Sequence, residues 1–145
     1  MARYPAMERV YTSPLLDKLG VRPGMRVAIV GALHDNVDEA ASFLADLRER
    51  TSDITEGSPK PDTDLVFLAA DSTDDLTPLA TIRPMLRPNG GIWVVSRKGK
   101  AATLRDVEVM AAGRENSLID NKVVAFSPTR TTIRLVIPVA LRPRA

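Results

Sequence analysis

The chain has 145 residues and a formal net charge of +2, and its 44% apolar and 26% charged residues are the balance of a folded domain, not a disordered segment. That length suits one domain with a buried core, and the uncharged stretch from 88 to 96 is far too short to span a bilayer. With no cysteine and one histidine, disulfides, thiol nucleophiles, thiolate metal sites and histidine-rich metal sites are excluded.

Residues 1 to 12 have no periodic pattern and are expected to form a loose arm on a single domain. Residues 1 to 14 also lack the apolar core of a signal peptide, so the expected location is the cytoplasm. Ser13-Pro14 is a cap followed by proline at the first helical position, and Leu15, Leu16 and Leu19 share a face before Gly20 stops that short helix. The Arg22-Pro23-Gly24 turn leads into an apolar strand over 25–30, interrupted by Arg26 and closed by Gly31. From Asp35 the spacing of Val37, Ala40, Ala41, Leu44 and Leu47 predicts a helix with one buried stripe. Asp35, Asp38 and Glu39 in its first turns and Arg48 and Arg50 in its last suit the helix dipole. The polar segment 51–63 offers at most a short edge strand around Ile54.

Residues 62–96 organise the rest of the chain. An apolar run over 64–70, a loop and helix, the turn cluster Pro88-Asn89-Gly90-Gly91 and the uncharged run 92–95 read as a right-handed βαβ unit. Both strands lack polar alternation, as parallel strands buried on two faces do. Thr103 with Asp106 three residues on predicts the next helix start, with Leu104, Val107, Met110, Ala111 and Leu118 facing the core. Residues 123–126 and 132–139 predict an antiparallel hairpin across Ser127-Pro128-Thr129-Arg130, and Pro138 puts the last strand's end at an edge or beyond the sheet. The fold class is therefore α/β, a mostly parallel sheet with a C-terminal antiparallel hairpin.

Charge is distributed unevenly. Residues 31–75 hold 12 acids against 3 Lys/Arg, and residues 97–145 hold 10 Lys/Arg against 4 acids. The expectation is two solvated faces of opposite sign. No aromatic residues interleave the basic ones to stack single strands, so a nucleic-acid partner is not favoured.

The element order resembles the class I methyltransferase fold, a three-layer Rossmann-like architecture, and Leu86-Arg87-Pro88-Asn89-Gly90-Gly91 is similar to the turn preceding a core strand in those enzymes. More specifically, 13–31, the basic run after Trp93-Val94-Val95 and 120–126 resemble a small uncharacterised bacterial family. The matching positions are Lys18, Leu19, Gly20, Pro23 and Gly24, then Asp120, Asn121, Lys122 and Val123, then Arg134. A tryptophan common in that family's terminal hairpin turn is Arg130 here, so a surface that relies on an aromatic at that point is not implied.

Open α/β sheets take ligands beyond the carboxyl ends of their strands, where strand order reverses, here expected between the strands at 27–31 and 65–70. The loops at that rim carry Gly31, His34, Asp35, Asp71, Ser72, Ser96, Arg97 and Lys98. Gly31, His34, Asp71 and Ser96 are the ligand-binding candidates. Arg97, Lys98 and Lys100 around Gly99 are anion-binding candidates, set against a solvated basic loop. A nucleoside cofactor needs glycines in the first loop, and Gly31-Ala32-Leu33-His34 supplies one; it also needs an acid closing the second strand, a role for Asp53 or Glu56 if a strand precedes them. His34 is the side chain suited to proton transfer near neutrality, set against a solvated neighbour of a helix start. Asp71, Asp74 and Asp75 are read as helix-start carboxylates before a metal or acid/base group, and Trp93 as core. No nucleophile elbow, P-loop, zinc helix or calcium loop is present.

The depleted loop points first to a non-catalytic binding or regulatory module with no cofactor, no metal and no catalytic residue, whose partner is another protein or a second copy. The alternative is a reduced S-adenosylmethionine-dependent methyltransferase using Gly31 and Asp71. The third reading is weak binding of nucleic acid or other anions through the basic C-terminal third.

Overall fold

A computed structural model describes residues 14–31, 33 and 37–143, leaving aside the side chains of 37–41. The expected arm, the Ser13 cap, His34 and Asp35 lie outside the described residues. Six strands, β1 (Val27–Val30), β2 (Ile54–Glu56), β3 (Thr63–Ala69), β4 (Leu86–Arg97), β5 (Ile119–Ala125) and β6 (Arg130–Val136), form one sheet in the order β2-β1-β3-β4-β6-β5. β2, β1, β3 and β4 are parallel, and β6 runs antiparallel between β4 and β5. The helices are α1 (Pro14–Lys18), α2 (Val37–Arg50), α3 (Leu79–Ile82) and α4 (Asp106–Glu115). No helix among the described residues is long and apolar enough to cross a membrane.

The period of two along each strand divides the core into two layers. Val27, Ile29, Leu65, Phe67, Trp93 and Val95 face one side, packed with Leu16 of α1, Leu19 just after it, and Phe43 and Leu47 of α2. Ala28, Val66, Leu68, Ile92, Val94, Ile133 and Leu135 face the other, packed with Leu79 and Ile82 of α3 and Val109 of α4. Trp93 is 1% exposed, and its Nε1 donates to the Leu19 carbonyl at 3.0 Å, which fixes the α1 segment on the sheet. Arg26, expected inside the first strand, immediately precedes β1 and ties the amino ends of three strands together. Its amide donates to Asp64 Oδ2 at 2.9 Å, its Nε to Asp53 Oδ2 at 3.0 Å and its Nη1 to the Pro61 carbonyl at 2.6 Å.

Four elements differ from the sequence expectation. Pro88-Asn89-Gly90-Gly91 falls within the span of β4, where the pairing with β3 jumps from Leu86–Thr63 to Gly91–Leu65, so the cluster is an irregular bulge inside the strand and not a turn before it. Its glycines are needed for close approach: a Cβ on Gly90 would come 2.7 Å from the Asp64 carbonyl oxygen, and one on Gly91 2.6 Å from Arg134 Nε. The helix joining β3 to β4 is a single turn, Leu79–Ile82, flanked by 3-10 turns at Asp74–Leu76 and Arg83–Met85. α4 starts at Asp106 with Arg105 as its cap residue, whose amide donates to Glu108 Oε1 at 2.9 Å. Thr103 does not cap; its hydroxyl donates to the Asp71 carbonyl and ties the loop before α4 to the end of β3. The last strand runs from Arg130, expected in the turn, to Val136, while Pro138 lies beyond the sheet as expected.

Candidate functional site

After β1 the chain runs to the edge strand β2 and then returns past β1 to β3, so strand order reverses between β1 and β3, as expected. Gly31 follows β1 at φ +90°, and a Cβ there would meet the Ala69 carbonyl oxygen at 3.1 Å and its Cβ at 3.3 Å. The position therefore requires glycine both for its left-handed backbone and for its contact with β3.

The condition attached to Asp53 and Glu56 is resolved by β2. Ile54–Glu56 pairs in parallel with β1, with Glu56 opposite Ile29, and the Gly57 amide donates to the Ile29 carbonyl at 2.8 Å. Glu56 therefore closes the second strand at the carboxyl rim with a side chain 63% exposed, and its nearest cation is Arg48 Nη2 at 3.6 Å. Asp53 lies at the opposite end, bound to Arg26.

Asp71 follows β3 and is tied in from all sides. Its Oδ1 accepts from the Arg97 amide at 2.9 Å, while its Oδ2 lies 3.8 Å from Arg97 Nε and 4.0 Å from Arg130 Nη1. Its own amide donates to Asp75 Oδ2 at 2.9 Å. Asp71 thus fastens the end of β3 to β4 and β6, and its carboxylate faces arginines instead of capping a helix. Ser96 is buried in β4, opposite Thr131, and belongs to the strand position next to Arg97, so it points to the other face. Lys98 is half-buried with its amide donating to the Thr129 carbonyl, and Lys100 is exposed in the 3-10 turn Gly99–Ala101. The structure thus brings Gly31, Asp71 and Arg97 to one rim, turns Ser96 away and leaves Lys100 on an outer turn.

Arg130 is a rim residue that the sequence reading assigned only to a turn. It opens β6 directly opposite Arg97 in the β4 pairing and is 4% exposed. The signal that could have found it is the hairpin register, which places the first residue of the last strand beside the last residue of β4. A second arginine of β6, Arg134, lies towards the amino end of the sheet, with its guanidinium carbon 6.0 Å from the Trp93 ring centroid. Burial first, and Arg142 second, hold that guanidinium below its usual pKa. Among the described residues no cluster of three or more His, Asp or Glu could hold a metal ion.

No family model and no curated protein matches the chain. Solved structures do match. A SAM-dependent methyltransferase from Aquifex aeolicus aligns over 85% of this chain and 87% of its own, with a TM-score of 0.58 and 14% identity. The glycopeptide N-methyltransferase MtfA complexed with sinefungin aligns over 86% and 84%, with a TM-score of 0.56 and 11% identity. The pyocyanin biosynthetic protein PhzM aligns over 83% of this chain at a TM-score of 0.57 and 14% identity, and the chain spans about half, 52%, of its length. The six-stranded, mostly parallel sheet with its antiparallel pair is the class I methyltransferase fold.

Proposed function

We propose that the protein is a reduced S-adenosylmethionine-dependent methyltransferase whose nucleoside site lies on the rim between β2, β1 and β3. The observation that carries this reading is Glu56, a largely free carboxylate closing a parallel second strand beside the glycine that closes the first. A carboxylate so placed accepts hydrogen bonds from both hydroxyls of a ribose, as acidic residues do in Rossmann-type sites. Gly31 supplies the other half of the fit, since its backbone can approach a ligand where any side chain would also collide with Ala69. The bound cofactor supplies a methyl group on a positively charged sulfur. Among this chain's residues, Glu56 orients the ribose and gives up its loose contact with Arg48, and Asp71 locks β3, β4 and β6 into one rim. The fold likeness and the position of Glu56 support this alternative over the non-catalytic module.

Isothermal titration with S-adenosylmethionine and S-adenosylhomocysteine tests it. Both are expected to bind, and Glu56→Ala is expected to weaken binding at least about tenfold, the loss of roughly 1.4 kcal/mol that hydrogen bonds to a charged group supply. Absence of heat at millimolar ligand overturns the reading. Binding without methyl transfer to any acceptor in a broad screen would return the protein to the class of binding modules.

A further inference from the structure

Arg130 is a largely covered charge for which the described residues supply no side-chain hydrogen bond. Its side chain is 5% exposed, and a guanidinium carries five N–H donors. Among the described residues none of those donors makes a hydrogen bond; the acidic contact is Asp71 Oδ2 at 4.0 Å, beyond hydrogen-bonding length. Arg97 Nε stands 3.8 Å from the same oxygen. Two guanidinium groups therefore share one carboxylate at ion-pair distance, and with Arg97 46% exposed the trio carries a surplus positive charge at the rim. Thr132, next on the same face of β6 and fully buried, also leaves its hydroxyl without a partner among the described residues. Donors that the protein itself leaves without a partner at a rim are open to a ligand. The group that satisfies a planar guanidinium best is an oxyanion, held by two parallel charge-assisted hydrogen bonds.

The position suggests which molecule brings that oxyanion. β6 stands three strand spacings from β1, about 14 Å at roughly 4.8 Å per strand. The arginines therefore lie on the side of the rim away from Gly31 and Glu56. We propose that Arg130 and Arg97 form the recognition site for an oxyanion, a carboxylate or phosphate group, carried by the molecule that accepts the methyl group. The assignment to the acceptor rests on the methyltransferase reading; the anion site itself rests on the geometry of Arg130, Arg97 and Asp71. Asp71 acts as an internal placeholder, close enough to neutralise one arginine and too far from Arg130 to satisfy its donors.

The test is a titration of the 15N-labelled full chain with inorganic phosphate and with acetate at constant ionic strength, following the Arg97 Nε–Hε resonance and the backbone amides of residues 97 and 130, which every variant below retains. A saturable shift is expected, and the two arms show which oxyanion is preferred. Arg130→Gln is expected to abolish the response, and Arg130→Lys, which keeps the charge but not the fork, to weaken it about fivefold or more. Asp71→Asn is expected to tighten binding about fivefold by removing the competing carboxylate, a change that a merely structural arginine would not produce and that stays readable if Arg130→Gln fails to fold. No saturable shift with either anion at tens of millimolar, or a response unchanged in the arginine variants, overturns the site. Repeating the phosphate titration with S-adenosylhomocysteine bound separates the sources: unchanged anion affinity supports an acceptor group, and direct competition overturns that assignment in favour of the cofactor's own carboxylate. Failure to bind S-adenosylhomocysteine while the anion response persists overturns the methyltransferase reading alone.

Discussion

The two halves of the sheet meet their rims in opposite ways. The parallel half, β2, β1 and β3, takes β2, β3 and the rim after β1 from the acid-rich part of the chain and ends in a glycine turn and an exposed carboxylate, Glu56. The antiparallel half, β6 and β5 against β4, comes from the basic part and ends in two arginines, one of them buried. The opposite signs expected on two solvated faces therefore lie, at the rim, side by side in the plane of one sheet. Asp71 crosses between them, leaving β3 to meet Arg97 and Arg130. A carboxylate kept free reads as a site for hydroxyl groups, and a pair of arginines given one carboxylate between them reads as a site for an anion. The difference shows that charge imbalance in sequence acquires chemical meaning only after the strand order has brought opposite segments to one edge.

The comparison depends on a rigid seam, and the largest effects are expected there. Trp93 in β4 is fully buried beneath the α1 segment and opposite Arg134. Trp93→Ala is expected to cost about 3–5 kcal/mol of unfolding free energy, read by urea denaturation, from the cavity and the lost ring contacts. A loss below about 1 kcal/mol would mean that α1 is not held on the sheet by this ring. Next comes Gly90→Ala, expected to cost about 1–3 kcal/mol because its Cβ would fall 2.7 Å from the Asp64 carbonyl oxygen and β3 and β4 would have to part. If Gly90 were a solvent-exposed turn residue, as the Pro-Asn-Gly-Gly pattern suggests, the same change would be nearly silent in a thermal melt.

That contrast marks the limit of what the sequence made legible. The strands around 27–30 and 64–69, the 37–50 helix and the terminal hairpin were readable because their apolar spacing is set by burial on one or two faces. The glycine pair was misread because a turn and a close lateral approach both demand the same residue. Thr103 fits the cap pattern by its spacing to an acid, yet the fold starts the helix later and uses the Thr103 hydroxyl to tie the loop to the Asp71 carbonyl, a partner that no local pattern names. Glu56 could be named only conditionally, since a three-residue strand has no periodicity and exists through its pairing with β1. Arg130 was beyond local pattern altogether: its meeting with Arg97 and Asp71 is a matter of register between distant strands.

Smaller effects separate a site from a scaffold. Arg130→Met replaces a buried guanidinium lacking hydrogen bonds with an apolar chain of comparable length, while Asp71 keeps Arg97. Unfolding free energy is expected to change by less than about 1 kcal/mol or to rise, since well-packed apolar replacements of buried ions are often neutral or stabilising. A loss of about 3–5 kcal/mol, the usual cost of breaking a structural buried pair, would show that Arg130 is held for the fold and not for a ligand.

At the parallel rim the expected effect on stability is smaller still. Arg48 and Glu56 are 57% and 63% exposed and 3.6 Å apart, a pair that solvent screens heavily. Arg48→Ala is expected to shift unfolding free energy by less than about 0.5 kcal/mol in a denaturant melt. Its effect on S-adenosylhomocysteine affinity should have the opposite sign to that of Glu56→Ala, because it frees the carboxylate for the ribose. If Arg48→Ala instead weakens nucleoside binding as much as Glu56→Ala does, then the ion pair itself is the binding element. The parallel rim would then resemble the antiparallel one, with charge held in pairs, and the distinction between an open carboxylate and an arginine-locked one would fail at its more exposed end.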